Sequence, residues 1–438
     1  MRILSKEEAK QLLEKIISYS KADECEANLS GGQEGNIRYA RNTVTTSGLA
    51  ENITASFTAY FGKRSGTVTF NEFDAESIAK AVRRAEELAR LAPENPEHMP
   101  VLEPQQYIET PTFVERTAQI TADYRADVAG KSIAYCKNKD LIAAGFFLDN
   151  AQFSAIMNSK GLFAYRRSTE VEFSLTVRTT DGTGSGYVVQ DFNDVAKFDV
   201  ESATRIAAQK AIDSRNPKAL EPGKYTVILE PAAAVDLLQN MLFNMDARSA
   251  DEGRSFLSKA GGGTRLGQKL FDERVTIYSD PAHPEVPASP WAGDGRPQEK
   301  VYWVKNGVVQ NVYYSRYWAA QKGVKAIPPP ANAIMLGGAK SIEEMIRSTK
   351  RGILVTRLWY IRTVDPQTLL YTGLTRDGTF YIENGKIMFP VKNFRFNESP
   401  VIMLNNLEEL GKPQRINGNL VPPMKIRDFT FTSLSDAI

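Results

Sequence analysis

The sequence has very few of the side chains that perform most metal and nucleophile chemistry. Two histidines, His98 and His283, and two cysteines, Cys25 and Cys136, occur in 438 residues. Zinc sites in proteases usually take paired histidines at helical spacing, whereas His98 lies among prolines and His283 lies in a predicted loop. A Ser or Cys nucleophile needs a nearby base, which is usually histidine. We therefore expect both histidines at the surface and no nucleophile site built on them.

Disulfides, net charge and long apolar runs are lacking as well. Two isolated cysteines do not make a disulfide framework, and 54 basic residues against 52 acidic ones leave a net charge of +2. Such a balance gives no field that would attract nucleic acid or an anionic membrane. No stretch approaches the ~18 apolar residues of a membrane span, and the polar start does not suggest a signal peptide. We expect a soluble cytoplasmic protein with no nucleic acid or membrane partner.

The residues that are present have the composition of an ordinary globular protein, 42% hydrophobic and 24% charged. Ser5 and Glu8 form a capping-box pattern ahead of a first helix. Alternation predicts strands at 36–41 and 53–60, a hairpin loop at 62–66 and a returning strand. Asp74 is a suitable N-cap for a second helix. We expect an N-terminal α+β domain over 1–92, followed by a proline-rich connector over 93–111.

The rest of the chain reads as a middle segment, 112–220, and a C-terminal domain, 221–438. The middle segment has a predicted helix around 120–128, a β-meander over 141–192 and a helix over 203–212. The C-terminal domain opens with a buried strand at 225–229 and a helix that begins at Pro231. Asn-Gly pairs at 306–307 and 384–385 predict hairpin turns. The predicted fold class is α+β, a mixed α/β N-terminal domain followed by a β-rich C-terminal domain, without a short tandem repeat.

Other candidate sites are weaker. The glycine run at 261–267 lacks the Gly-Lys-Ser/Thr ending of a phosphate-binding loop. Cys25 lies between Glu24 and Glu26, which should raise its pKa, and Cys136 is most simply a small core residue. A carboxylate cluster follows the Pro231 helix. Such clusters are usually solvated, but a glycosidase-type pair stays open among Asp246, Asp251, Glu252, Asp272 and Glu273.

Longer motifs resemble one known family. They include Asn-Ser-Lys-Gly at 158–161, Pro-Gly-Lys-Tyr-Thr-Val at 222–227 and Asp-Gly-Arg-Pro at 294–297. The densest runs are 352–357, Thr-Gly-Leu-Thr-Arg-Asp-Gly at 372–378, 383–386, 390–396 and Phe-Thr-Ser at 431–433. In this order they resemble the TldD/PmbA family, whose members were once described as modulators of DNA gyrase. The resemblance covers essentially the whole chain.

The resemblance implies that the metal ligands have been lost. TldD-like members are zinc peptidases whose helix carries His-Glu-x-x-x-His and whose site is completed by a C-terminal cysteine. The corresponding positions here are Gln239, Asn240 and Asn244, and no cysteine follows Cys136. Carboxamides bind zinc poorly, and Asn240 cannot take a proton from water as a carboxylate does. The chain is therefore similar to the TldE/PmbA-like branch, which lacks the zinc motif.

Further expectations follow from this resemblance. The chain should have no cofactor of its own and no catalytic residue, because zinc is expected only in a TldD-like partner. It would be a non-catalytic subunit of a peptidase that degrades or processes unfolded peptides, and it would be inactive when isolated. A peptide would be held by adding itself to a sheet edge. We predict that the cleft facing the substrate or partner contains Gln239, Asn240, Asn244, Arg248 and Arg254.

Two alternatives stay open from the sequence. One is a metallopeptidase with relocated ligands, namely His283 with Asp280, Glu285 or Asp294. The other is a homodimeric peptide-binding or regulatory protein, in the manner of a gyrase modulator.

Overall fold

The structure is a computed structural model that describes residues 3–435. In its N-terminal half, two helices enclose three strands. In chain order these are α1 (Lys6–Ser18), β1 (Glu24–Ala40), β2 (Thr43–Phe61), β3 (Arg64–Phe70) and α2 (Ala75–Leu91). The prolines of the connector follow, and 93–111 contains neither helix nor strand.

The same order of elements then occurs a second time. After α3 (Glu115–Ala118) come α4 (Ala122–Asn138), β4 (Leu141–Asn158), β5 (Phe163–Thr179), β6 (Ser185–Phe192), a 3₁₀ turn (Val195–Lys197) and α5 (Val200–Asp213). The six strands form one antiparallel sheet in the order β3-β2-β1-β4-β5-β6, with β1 and β4 paired at its centre. Segments 1–92 and 112–220 thus contribute three strands each to one sheet. The two units have the same order of secondary-structure elements but different amino-acid sequences, so no repeat is visible in the sequence.

Alternate residues of each strand point to the same face of the sheet. The apolar residues lie on one face, and four helices cover it. One apolar cluster, with Leu13 and Phe57, lies under α1 and α2, and a second, with Phe147 and Phe173, lies under α4 and α5. Between the two clusters Arg125 donates to Asp149 at 2.8 Å, and both side chains are buried.

The C-terminal half is rich in strands. Its elements are β7 (Gly223–Leu229), α6 (Pro231–Phe243), α7 (Ala247–Asp251), β8 (Ile277–Ser279), β9 (Val301–Lys305), β10 (Val308–Val309), α8 (Arg316–Lys322), β11 (Ile334–Met335), α9 (Ile342–Arg347), β12 (Arg351–Asp365), β13 (Leu370–Glu383), β14 (Lys386–Pro390), β15 (Phe394–Glu398), α10 (Pro400–Asn405), β16 (Leu407–Leu410), β17 (Gln414–Ile416), β18 (Asn419–Val421) and β19 (Met424–Leu434). Strands β12, β7, β19, β15 and β13 pair in succession, and the β12–β13 pairing closes the ring. A second sheet has the order β10-β9-β8-β11-β18-β17.

Polar contacts join the two halves. Arg415 Nε donates to Asp191 Oδ2 at 2.8 Å, and Lys210 Nζ donates to Glu230 Oε2 at 2.6 Å. The hydroxyl of Ser185 donates to the buried carboxylate of Asp377. Since Glu230 is the N-cap of α6, one of these contacts also holds the start of the helix that forms the candidate site.

Several local expectations are confirmed. Ser5 and Glu8 make the capping box, Asp74 caps α2, and Pro231 is the first residue of α6. Both Asn-Gly pairs have positive φ and form the turns β9–β10 and β13–β14. The fold class is also confirmed.

Other local expectations were wrong in detail. The loop expected at 62–66 is shorter, since β3 already begins at Arg64, and Gly66 lies within that strand. The helix expected around Ile120 starts at Ala122, because Thr121 caps it with its side chain. Beyond α6 the chain is largely strand and loop, with short helices between the strands.

One end of β2 has an edge that no described strand covers. β1 pairs with β2 along almost its whole length, whereas β3 pairs only with residues 55–61. Residues 43–52 are exposed at every position and contain a single charged residue, Glu51. An edge of this length without lysine or proline is a template for a further strand.

Within residues 3–435, no helix is both long enough and apolar enough to cross a membrane.

The helix–sheet contacts at the two outer strands predict a position-dependent effect of alanine. A Cβ at Gly186 would lie 2.1 Å from the Ala207 carbonyl oxygen of α5, whereas a Cβ at Gly130 in α4 meets nothing within 4 Å. Gly186→Ala should therefore lower the free energy of unfolding by about 2–3 kcal/mol through overpacking. Gly130→Ala should raise it by about 0.5–1 kcal/mol, as expected for an exposed helix position. Urea denaturation of both variants measures this, and equal effects would contradict the close approach.

Candidate functional site

The candidate site is built on the outer face of α6. Pro231 starts the helix directly after β7, and Leu237, Leu238, Met241 and Leu242 are buried in the largest apolar cluster of the protein. Burial of that face leaves Asp236, Gln239, Asn240 and Phe243 on the opposite side, since residues three and four apart share a helix face. The anchoring of the helix therefore determines which side chains are presented.

These outward side chains form one wall of a cleft of about 650 Å³, which we call the α6 cleft. The opposite wall consists of residues 329–333 and 358–362, the second of which belongs to β12. Within residues 3–435, neither the carboxamide of Gln239 nor that of Asn240 hydrogen-bonds to another group. The NH₂ group and the carbonyl oxygen of each side chain are therefore available to a bound molecule.

Asn244 lies elsewhere. It is the C-cap of α6, and its Nδ2 donates to the Asn240 carbonyl at 2.8 Å and to the Tyr371 hydroxyl at 3.3 Å. It lines a second cleft of about 480 Å³, and Phe243, 75% exposed, stands between the two clefts. Gln239 and Asn244 are five residues apart, hence about 140° apart around a regular helix. In this chain the two positions open into different clefts.

The remaining predicted cleft residues are held by ion pairs. Arg254 lines the second cleft and donates to Glu252. Arg248 binds Glu97 at 2.8 Å and Glu252 at 2.9 Å, and it packs over Trp318. These hydrogen bonds raise the pKa of Arg248 and lower that of Glu252. The structure thus groups Gln239 with Asn240 and Asn244 with Arg254, whereas Arg248 ties the connector to α7.

The donors in the described chain do not fit zinc. Within residues 3–435, no group of three or more His, Cys, Asp or Glu side chains lies together in a way that could hold a metal ion. His283 Nδ1 accepts from the backbone of Glu285 at 3.3 Å, and His98 packs against the ring of Tyr60. Both histidines are half-buried. Carboxamides at the α6 positions offer poor ligands, so no catalytic step through zinc follows from these residues.

The two cysteines are both buried. Burial raises the pKa of Cys136 to about 12. The pKa of Cys25 is also raised, but burial is the largest cause and the neighbouring carboxylates contribute less. The predicted rise in the pKa of Cys25 is therefore confirmed, with burial as its main cause and Glu26 as a smaller one.

The carboxylates that follow α6 have structural partners. Asp246 caps α7, Asp251 accepts from the Trp318 indole at 2.8 Å, and Glu252 pairs with Arg248. Asp272 pairs with Arg274, whose hydrogen bonds lower the pKa of Asp272 to about 2.

Two parts of the α6 cleft were missed by sequence reasoning. Asp236 lies one helical turn before Gln239, a spacing that was readable once the helix was predicted. The wall from Leu358 to Arg362 depends on an irregularity in β12 that has no local sequence signal. Burial raises the pKa of Asp236, and Arg357 opposes the rise.

Comparison with known proteins identifies relatives along the whole chain. Three family models match in order: PmbA/TldA metallopeptidase domain 1 at residues 25–89, the central domain at 108–215 and the C-terminal domain at 222–433. A metalloprotease of Methanothermobacter thermautotrophicus is 23% identical over 296 residues, and the match spans 62% of each chain, less than two thirds. The metalloprotease PmbA of Escherichia coli O157:H7 is 23% identical over 97% of this chain and 98% of its own length.

A solved structure shows the same fold. The crystal structure of TldE from Thermococcus kodakarensis superposes with a TM-score of 0.87 at 18% identity. The match covers 97% of this chain and 99% of that one. At this identity the likeness concerns the fold alone.

The raised pKa of Asp236 predicts the pH dependence of one variant. Because the folded protein holds this proton more tightly than the unfolded chain, ionisation of Asp236 costs stability as pH rises from about 3.9 through the folded pKa. Asp236→Asn removes that cost. The free energy of unfolding of the variant, relative to that of the wild type, should therefore increase as the pH rises from about 3.5 to 7.

Asp181→Asn is the control, for which the expected pH-dependent change in stability has the opposite sign. Hydrogen bonds from Thr179 and Thr183 lower the pKa of Asp181, so its ionised form stabilises the fold above the unfolded pKa. This variant should lose stability relative to the wild type over the same range. Urea denaturation across the series measures both, and parallel curves for the two variants would contradict the assignment of Asp236.

Proposed function

We propose that this chain, which belongs to the PmbA/TldD metallopeptidase family, is a non-catalytic subunit of a two-chain peptidase. In this role it pairs with a family member that carries His-Glu-x-x-x-His and supplies the zinc. The pair degrades or processes unfolded peptides, and this chain helps to hold them.

The observation that carries the proposal is the pair of unpartnered carboxamides on α6. Gln239 and Asn240 face a cleft large enough for part of a peptide. A carboxamide offers one donor pair and one acceptor, which match the carbonyl and N–H of a peptide backbone. It neither binds zinc well nor accepts a proton from water. The face is thus chemically suited to holding a peptide rather than to cutting it.

The uncovered edge of β2 supports association with another chain. Residues 43–52 offer backbone donors and acceptors over ten residues, and main-chain pairing along such an edge requires few specific side chains. A homodimer that uses the same edge is the second candidate, with a peptide-binding or regulatory role. The mixing experiment below separates the two.

The proposal predicts that activity and zinc require the partner. The chain purified alone should retain no zinc and should not cleave unfolded casein. Mixed with a histidine-bearing family member from the same organism, it should elute as a complex that hydrolyses the substrate in a zinc-dependent way. Size-exclusion chromatography with light scattering, elemental analysis and a peptide-release assay measure these outcomes.

The matched control is the same partner with its zinc-helix glutamate replaced by glutamine. That mixture should still form the complex but release no peptides. Zinc-dependent proteolysis by this chain alone would overturn the proposal. A stable homodimer that does not bind the partner would favour the second candidate.

A further inference from the structure

The second wall of the α6 cleft contains a strained aromatic residue. β12 and β13 pair at Trp359–Leu374 and again at Arg362–Thr372, so β12 has one extra residue between these pairs. Tyr360 lies in this bulge with φ of 56°. A bulky residue in the left-handed region is a rare conformation, and such outliers concentrate at functional sites.

The bulge turns two aromatic rings towards solvent. Trp359 is 40% exposed and Tyr360 is 54% exposed, and their ring centroids are 5.5 Å apart. Adjacent residues of a regular strand point to opposite faces, so the extra residue is what allows both rings to line the cleft.

Guanidinium groups pack on both rings. The Arg362 Cζ lies 4.3 Å from the centroid of the Tyr360 ring, and the Arg376 Cζ lies 4.1 Å from that of Trp359. Arg376 also approaches Asp377. Arg362 is different: it is exposed, it lines the cleft, and no carboxylate pairs with it in the part of the chain that the structure describes.

Arg362 is therefore held in place without being neutralised. The ring of Tyr360 restricts its side chain, and its Nη1 donates a long hydrogen bond of 3.4 Å to the Ile361 carbonyl. A positioned guanidinium presents its N–H groups as a fork that matches a carboxylate. Asp236, the acidic residue of the lining, belongs to α6, and Arg357 of β12 attracts it.

We propose that the α6 cleft binds an extended peptide segment through a peptide carboxylate placed on Arg362, beside an apolar or aromatic residue on Trp359 and Tyr360. Gln239 and Asn240 bind the peptide backbone from the other wall. The proposal rests on the peptide-holding role inferred above and narrows it to peptides that present a carboxylate. The carboxylate is either an acidic side chain or the free C-terminus, and the test distinguishes them.

The test uses four fluorescein-labelled eight-residue peptides, each with one phenylalanine at the same position. Three have an amidated C-terminus and carry two glutamates, two glutamines or two lysines. The fourth is the glutamine peptide with a free C-terminal carboxylate. Fluorescence anisotropy on the complete chain should show the glutamate peptide, the free-carboxylate peptide or both binding about tenfold more tightly than the amidated glutamine peptide. The lysine peptide should bind most weakly.

Arg362→Gln should remove that preference while leaving the affinity for the amidated glutamine peptide nearly unchanged. Arg351→Gln is the matched control, since Arg351 lies on the same strand, is exposed and also packs over a tyrosine ring, Tyr225, but does not line the cleft. The control should keep the full preference.

Equal binding of charged and neutral peptides, no binding of any peptide, or an undiminished preference in Arg362→Gln would overturn the proposal. These measurements use this chain alone and need no partner. They are independent of complex formation and zinc-dependent cleavage, which test the proposed function separately.

Discussion

The orientation of α6 is the constraint on which the candidate site depends. Its apolar residues are fixed in the largest core of the protein, and its first turn is held by Pro231 and by the contact between Glu230 and Lys210. A helix fixed on one face cannot rotate without exposing several leucines, each of which stabilises the fold by about 1.5–3 kcal/mol through burial. The residues at 236, 239, 240 and 243 are therefore presented whatever their chemistry. A substitution at such a position changes the chemistry of the cleft wall and leaves the fold intact.

Much of the fold was predictable where local rules govern structure. Ser5, Asp74 and Pro231 marked helix starts because caps and first-turn prolines act within a few residues. The duplication of the helix–strand–strand–strand–helix unit was not predictable, because it conserves the order of elements and not the residues. Gly66 and Gly186 lie at equivalent positions in the two units, where β3 and β6 pass close to the backbones of α2 and α5. The sequence alone identifies each of them only as a glycine near a turn.

The candidate site was predictable in part for the same reason. Gln239 and Asn240 were identified from a resemblance and then found together on one helix face. Asn244 was predicted to share their cleft, but the helix ends there and Phe243 separates the two sides. Tyr360 and Arg362 were missed because a bulge depends on the pairing of two strands, and one strand's sequence does not encode the register of its partner.

The uncovered stretch of β2 has a consequence for how the protein must be produced in a cell. Ten residues rich in threonine, with one charge and no proline, will pair with any compatible strand when no cover is present. If a partner chain covers this edge, as proposed, copies of this chain made in excess over that partner keep the edge open and can self-associate. Matched expression of the two chains would limit this, which would make gene dosage part of the folding problem.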